Sequence, residues 1–578
     1  MPTQEAHRVV DVVVIGSGAG GLSTAVTAAD RGLDVVVLER DARCGGATTR
    51  SGGWMWTPRT SFAKADGVDE SLEDVEAYLR AALGDDYAPN AARIRAFLEA
   101  APDMVEFFHT RTDLEFVPGA TINDIYGHLP HAGTGHRSVG PKPLNGRRVP
   151  RELRRLLAPQ FYETSFLGMG IMAGADLQGF MKASKLKLSG WWHAGKRVAG
   201  YVIDVLTTGS GKHWVNGVAL TGRLALSAVA RGVDIRVRHE AVELVRDETG
   251  RVTGVVVQTP EGRRRIDARR GVVIATGGFS ADPAMRRELF PHNRSAADHW
   301  TLAPQSADGS GIRLATSVGG SFSAAGASAG AWCPVSLVPY RLRPGVGVFP
   351  HIMDRAKPGS LGVTRDGRRF VNEANGYWDY VDGMNRATAE GERAEAWQIA
   401  DRRFVAHYPL GFAKPNPVPR LPYLLNGYLV KAKTIAELAR KCGIDPDQLE
   451  RTVAEFNANA HRGEDPDFGR GSTPFNRYGG DPEVRPNPSL APIEHGPFYA
   501  VHVRQGTFGT FAGMEADEKA RLLDADGVPV PGVYVVGVDQ KNIFGGHYPA
   551  GGVNLGPAMT FGYIAGHALA DEEPVRAG

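Results

Sequence analysis

Tyr548 stands in a glycine-rich run, Gly545-Gly546-His547-Tyr548-Pro549-Ala550-Gly551-Gly552-Val553-Asn554-Leu555-Gly556-Pro557, that leads into an apolar, helix-like tail from Ala558 to Ala570. A glycine-rich turn feeding a helix start presents backbone N–H groups and the positive end of a helix dipole. A phenol beside such N–H groups can hold a ketone oxygen as it becomes an enolate. The plain alternative is a C-terminal turn with no chemistry. The other end of the chain weighs against it, because it carries a cofactor site.

There Asp11-Val12-Val13-Val14-Ile15 forms an apolar strand, followed by Gly16-Ser17-Gly18-Ala19-Gly20-Gly21, which matches G-x-G-x-x-G at Gly16, Gly18 and Gly21. A helical run from Leu22 to Arg31 and a second strand, Asp34 to Leu38, end at Glu39 and Arg40. This is the βαβ dinucleotide fingerprint in its required context. Gly16 permits the tight turn, Gly18 lets the backbone approach a pyrophosphate, Gly21 allows close helix–strand packing, and Glu39 stands where an acid binds ribose hydroxyls.

Positioning these residues takes more of the chain. Helix and strand patterns alternate from Leu220 to the strand Gly271–Ala275, which ends in Thr276-Gly277-Gly278, and a last strand, Gly532 to Gly537, precedes Asp539. Alternation of this kind predicts an α/β fold with a doubly wound parallel sheet, whose ligand side is the glycine-bearing strand ends. Ala275, Thr276, Gly277, Asp539, Asn554 and Leu555 therefore join the cofactor set, with Asp539 on the cofactor or only capping the next turn. The fold expected is a discontinuous Rossmann-like domain (residues 1–60, 216–285 and 501–578) with a mainly helical insertion (61–215) and an inserted α+β capping, or substrate, domain (286–500). Helices are expected over Leu72–Leu83, Ala91–Arg111 and Pro446–His461, and a strand-turn-strand over Gly362–Asn372 with Arg368 and Arg369 in its turn. Gly463–Pro488 reads as an irregular surface loop.

The 578 residues imply two or more domains. Apolar content of 42% and charge of 22% are those of a globular chain, and a net charge of +2 points to no nucleic-acid partner. Three scattered cysteines (Cys44, Cys333, Cys442) suit a reducing compartment, and no Cys/His cluster has metal spacing. The polar start, Met1 to Arg8, reads as no secretory signal, and no apolar stretch is long enough to span a bilayer. Lys182–Lys196, with Trp191-Trp192 inside it, could be a basic amphipathic surface making a peripheral membrane contact; a buried Trp pair is the favoured reading. A cytoplasmic protein is expected, near the membrane if its substrate is oily.

The chain resembles the FAD-dependent 3-ketosteroid dehydrogenases, within the fumarate-reductase-like flavoproteins. The resemblance covers nearly the whole length and rests on Gly16–Gly21, on Gly45-Gly46-Ala47-Thr48-Thr49-Arg50-Ser51-Gly52-Gly53, on Gly367-Arg368-Arg369-Phe370-Val371-Asn372-Glu373 and on the Tyr548 loop. It implies that FAD is the cofactor and that Gly45, Gly46, Ala47, Thr48, Ser51, Gly52 and Gly53 contact it. Four residues past Glu373 the fumarate-reductase relatives carry an arginine proton donor; here Tyr377 stands there, as in ketosteroid dehydrogenases. The resemblance makes Tyr377 the base for the carbon beside the ketone, or by the plainer reading a packed aromatic. It gives Tyr548 and the Gly552 N–H the ketone oxygen, and carries an assisting tyrosine onto Tyr126, where Ile125 and the missing proline depart from the family pattern. Segments 165–200 and Trp54–Trp56 also depart, which bears on the substrate more than on the chemistry.

The reaction implied is α,β-desaturation of a cyclic ketone, a 3-ketosteroid or a smaller one: a proton leaves to Tyr377 and a hydride to flavin N5, with an external acceptor such as a quinone. Because a free tyrosine has a pKa of about 10, a neighbour or a positive field must lower it or relay its proton. The helix start near Pro557 would face the flavin. Two other readings remain open at this point, an FAD-dependent enone reductase and a non-catalytic protein on the same fold. No second fingerprint for a nicotinamide is present.

Overall fold

The computed structural model describes residues 8–340 and 345–575. Valine-rich runs buried on both faces build its first sheet, the pattern required of a parallel sheet covered by helices. Arg8–Ile15 lies between Val35–Glu39 and Gly262–Ile274, parallel to both; Asp234–Val237 extends one side and Pro529–Val535 the other, also parallel. Arg521–Leu523 closes one edge, and Glu240–Arg246 and Val252–Thr259 form an antiparallel meander on Gly262–Ile274. Three distant parts of the chain thus make one sheet, and their strand ends meet at Gly16, Ala275 and Val536.

The helix Ala19–Asp30 packs on the C-terminal helix Leu555–Asp571 at backbone contact. A Cβ on Gly562 would lie 2.6 Å from the Gly20 carbonyl oxygen, and one on Gly566 would lie 2.6 Å from the Thr27 Cβ. The Ser23 hydroxyl donates to the Met559 carbonyl at 2.7 Å.

A second sheet has Phe498–Thr510 as its spine, flanked by Gly330–Pro339 and Glu395–Ala400, with Val346–Pro350 and Ser360–Val363 outside them. The expected boundary at residue 501 falls inside this spine. Helices occupy Leu72–Leu83, Ala91–Arg111 and Pro446–Arg462. Ser71 and Asp74 start the first of these with a capping box.

Three local expectations differ. Of Gly362–Asn372 only the first residues are strand, in Ser360–Val363. The rest is drawn inward by ion pairing: Arg369 and Arg470 grip the buried Glu373 at 2.8 and 3.1 Å, and Asp465 holds Arg369 at 2.7 Å. Arg365, Asp366 and Arg368 stay at the surface. Gly463–Pro488 is accordingly no plain surface loop, since it supplies Asp465 and the buried Arg470, which also donates to the carbonyls of Ser360, Arg355 and Lys357. Trp191 and Trp192 are exposed, 44% and 80%, rather than a buried pair.

Burial alone would raise the Glu373 carboxyl, but Arg369 and Arg470 overcome it and hold it at about 2 against an ordinary 4.5. A depressed folded-state pKa stabilises above the unfolded value and loses that contribution as pH falls. Urea midpoints should therefore drop between about pH 4.5 and 2, and Glu373→Gln should cost about 3–5 kcal/mol at pH 7 by removing the carboxylate that pairs the buried Arg470 and one of the two that pair Arg369.

Candidate active site

The cofactor end is built from glycines of two kinds. Gly16, with φ of 109°, could bear no Cβ because the Ala275 carbonyl oxygen would lie 2.1 Å away; Gly21 is pressed on the Gly16 carbonyl in the same way. Their smallness serves the protein's own packing. Gly20 is nearly as tight, 3.1 Å from the Gly537 nitrogen. Gly18 differs: its φ of −73° suits any residue, and the nearest atom to an added Cβ is Thr48 Oγ1 at an ordinary 3.6 Å. Gly52 and Gly551 likewise have negative φ and open space, with nothing nearer than 3.8 Å. Glycine at positions the fold does not require is what a closely approaching ligand requires.

Around that cradle the polar groups are ordered. Ala19 N–H donates to Thr48 Oγ1 at 2.9 Å, tying the Gly45–Gly53 segment to the fingerprint helix. Gly45 and Gly53 take positive φ there, while Gly46 and Ala47 start the short helix Gly46–Arg50. Ser51 Oγ donates to the Thr48 carbonyl and accepts from Gly53 N–H. Ser17 hydroxyl donates to the buried Glu39, whose carboxyl burial pushes up against the bonds from Ser17 and Asp41. Arg40 is committed elsewhere, to Asp308 at 3.0 Å and Glu240 at 3.4 Å. Asp539 is fully buried and accepts from Thr276 Oγ1, Gly277 N–H and Gly278 N–H at 2.9–3.1 Å, so its carboxylate pins the turn after the strand ending at Ile274. Asn554 caps Leu555–Asp571 without a side-chain bond, leaving the positive helix end toward a cleft lined by Thr510, Gly537, Gln540, Asn542, Asn554 and Pro557. Thr510 Oγ1 and Gln540 Nε2 are buried in it without a partner among the described residues. Unpartnered polar atoms beside a helix N-terminus and a glycine cradle fit a bound dinucleotide with a polar ring edge.

The structure also brings Tyr377, Tyr548 and Tyr126 together. Tyr377 opens the helix Tyr377–Arg386, and its ring meets that of Tyr548 edge-on at 4.8 Å and that of Phe508 at 5.1 Å. The two phenols also act on each other's charge: Tyr548 pushes the Tyr377 phenol up, and Tyr377 pulls that of Tyr548 down against its burial. The Tyr126 phenol lies against the Tyr548 backbone, which opposes the rise that burial imposes on it. Its loop is pinned to the Tyr548 loop by Ile125 N–H on the Pro549 carbonyl at 2.9 Å and by Tyr78 hydroxyl on the same carbonyl at 2.6 Å. Gly552, with φ of 98°, sits where a Cβ would be 2.7 Å from the Trp54 oxygen, so only glycine lets this loop lie on the strand Met55–Trp56. His547 turns away to Asp86 at 3.0 Å.

Burial raises all three phenols. For Tyr377 the neighbouring Tyr548 adds to the rise, and Arg355 opposes it. Sequence reading did not find Arg355, which donates to the carbonyls of Glu373 and Asn375 and so holds the turn before Tyr377. Nor did it find Asp379, two residues along the same helix. Burial first and Asp382 second push its carboxyl up to about 7, and its Oδ2 is buried without a partner among the described residues. No local pattern marks either residue; Gln540, directly after Asp539, was the one within reach. Leu302, Cys333, Val335, Phe161, Val348 and Phe508 form an apolar cluster with Tyr377.

Residues 11–555 match the model of the FAD binding domain family. The chain is 37% identical over 97% of its length to the 4-oxocyclohex-2-ene-1-carboxylate 5-dehydrogenase of Sinomonas cyclohexanicum, covering 93% of that protein. It is 34% identical over 96% of its length to the 3-oxosteroid 1-dehydrogenase of Mycolicibacterium smegmatis, covering 96% of it. The solved 3-ketosteroid delta1-dehydrogenase of Sterolibacterium denitrificans superimposes with a TM-score of 0.89 at 31% identity, over 97% of this chain and 99% of that one. The chain belongs to the FAD-dependent 3-ketosteroid dehydrogenase family; it is an oxidoreductase acting on CH–CH bonds, and FAD is its cofactor. Among the described residues no helix is long and apolar enough to cross a membrane, and no cluster of ligands could hold a metal ion.

Gly18→Val tests the cradle. The protein should fold as before by circular dichroism yet bind FAD at least about tenfold more weakly, a loss of about 1.4 kcal/mol, read by flavin absorbance per chain.

Proposed function

We propose that the protein desaturates a ring ketone beside its carbonyl, with Tyr377 as the base and with the Tyr548 hydroxyl and Gly552 N–H on the ketone oxygen. The observation that carries this reading is the edge-on pair Tyr377–Tyr548, ring centroids 4.8 Å apart, in an apolar wall. A ketone seated with its oxygen on Tyr548 would offer its α-carbon to Tyr377. As that proton leaves, charge gathers on the oxygen, where two pre-placed donors stabilise it without reorganising. FAD, when bound, supplies the acceptor for the hydride from the β-carbon. A hydrocarbon lining of Phe161, Leu302, Val335, Val348 and Phe508 suits a 3-ketosteroid ring. The electrons then pass to an external acceptor of the quinone class.

A smaller substrate is the second reading, favoured by one residue. Arg50 is half-buried, donates to the carbonyls of Leu302 and Ala303, and lies 5.1 Å over the ring of Phe161, beside the cleft wall. A guanidinium there suits a carboxylate on the ring, as in the substrate named for the Sinomonas relative.

The proton needs an outlet. Tyr126 and Asp379 stand behind the pair, and an added Cβ on Gly376 would lie 2.5 Å from Asp379 Oδ2 and 2.9 Å from Ile125, the residue before Tyr126. A carboxyl at about 7 can take a proton at neutral pH and return it to solvent. Asp379 acts through the tyrosines, as a positioning and relay group.

Anaerobic titration of the purified yellow enzyme with a 3-ketosteroid and with 4-oxocyclohexenecarboxylate, followed by flavin absorbance, tests the assignment. One of them should bleach the flavin; re-oxidation of the reduced enzyme by an enone, with no bleaching by either ketone, would turn the case toward a reductase. Tyr377→Phe should slow bleaching by about a hundred- to ten-thousandfold, and Tyr548→Phe by about a hundred- to a thousandfold. Asp379→Asn should remove the limb near pH 7 from the kcat profile, with wild-type activity rising as the carboxyl ionises. An unchanged profile would rule the relay out.

A further inference from the structure

The helix Leu188–Thr208 is built inside out. Its inward residues are polar: His193 and Arg197 meet Asp176 at 2.8 and 3.0 Å, Tyr201 donates to the Leu167 carbonyl at 2.8 Å, and Asp204 meets Arg147 at 2.7 Å. Its outward residues are apolar. Leu188 is 89% exposed, Trp192 80% and Leu206 80%, with Ile203 and Val202 between them and Leu186 and Leu167 alongside. Positions 188, 192, 199, 203 and 206 share one helical face, the face an ordinary surface helix would fill with charge. An apolar patch of this extent marks an interaction surface.

Charge narrows the partner. Residues 142–212 hold twelve Lys/Arg against four Asp/Glu, a net +8, while the whole chain is +2 and everything else is therefore −6. Arg147, Arg148, Arg151, Arg155, Lys182 and Lys196 are exposed around the stripe. Arg147 bonds Asp204 and Thr207, and the pairing of Leu144–Asn145 with His213–Trp214 fixes these arginines at the helix's C-terminal end. A second copy docked by the same face would oppose two such basic surfaces, and like charges repel. An anionic bilayer satisfies both halves: the stripe enters the acyl boundary, the Trp side chains sit at headgroup level, and the basic rim meets lipid phosphate.

We propose that the apolar face of Leu188, Trp192, Ile203 and Leu206, with its basic rim, seats the protein on an anionic lipid surface as an interfacial helix. The chain just before it leads to the cleft: Tyr162 packs on Phe412 at 6.1 Å, and Phe161 belongs to the cluster around Tyr377. A ketone or acceptor dissolved in the bilayer would enter from that side.

Co-sedimentation of the FAD-loaded enzyme with mixed phosphatidylcholine–phosphatidylglycerol vesicles tests the proposal. The enzyme should pellet with these vesicles, several-fold less with phosphatidylcholine alone, and less again at about 1 M salt, where the Debye length is about 3 Å. Trp192→Glu and Leu206→Glu should each weaken binding at least about tenfold, since burying such a side chain is worth about 1.5–3 kcal/mol. Both positions are exposed, so flavin content and turnover of a water-soluble ketone should not change. Failure to pellet with the mixed vesicles, or equal binding by Trp192→Glu, would overturn it. So would a concentration-dependent dimer, seen by analytical ultracentrifugation and abolished by Trp192→Glu, which would make the face a contact between copies.

Discussion

Everything in the active site depends on how closely the first and last helices approach. Gly20, Ser23 and Thr27 on one and Gly562 and Gly566 on the other leave so little room that each glycine, given a Cβ, would meet the opposing helix at 2.6–3.1 Å or its neighbouring turn. The helix after the fingerprint turn and the helix after the Tyr548 loop are therefore set side by side at fixed depth. Gly556 repeats the device on the Trp56 carbonyl, at 2.2 Å, and Gly552 repeats it on Trp54. The cradle for the dinucleotide and the hydroxyl proposed for the ketone oxygen come from opposite ends of the chain, and this seam makes them one site.

Tyr377 is positioned by a different force. Its helix begins where a buried ionic knot ends: Arg369, Arg470 and Asp465 around Glu373, with Arg355 on the carbonyls of Glu373 and Asn375. A buried ion pair is a poor source of net stability, because desolvation offsets the attraction. It is an exacting source of geometry, since each partner must find its counter-charge. Here it joins the loop before Tyr377 to the segment 463–488 and to the strand Ser360–Val363 of the second sheet. The proposed base thus comes from the second sheet's unit and the proposed oxygen donor from the first, and the two meet ring against ring.

What could be read from the sequence was what is contiguous. The fingerprint from Gly16 to Gly21, the Gly45–Gly53 segment and the Tyr548 loop each hold their meaning within a dozen residues, and helix patterns as regular as Ala91–Arg111 declare their own limits. What was not legible depends on partners far along the chain. Arg368 and Arg369 are alike in sequence, yet one is solvated and the other buried, because Asp465 lies 96 positions on. The Trp191-Trp192 pair faces outward because Asp176 claims the polar face of its helix. Arg355 and Asp379 matter through burial and proximity, which no local pattern encodes.

That burial poses the site's central difficulty. An apolar wall excludes water from Tyr377 and from the ring, but desolvation disfavours a phenolate, and Tyr548 raises the phenol of Tyr377 further. Arg355 is the group that opposes this, and it does so from behind the turn, committed to carbonyls. A base so placed does not ionise in advance. On the proposed assignment it takes the α-proton only as its own hydroxyl proton passes toward Tyr126 and Asp379 and as negative charge moves onto the ketone oxygen beside the Tyr548 hydroxyl. On that assignment the Tyr548 hydroxyl acts where a donor contributes most, on the oxygen of the transition state. On the proposed assignment, binding of the ketone and removal of its proton are one event, because only a carbonyl beside the Tyr548 hydroxyl gives the departing charge a place to gather.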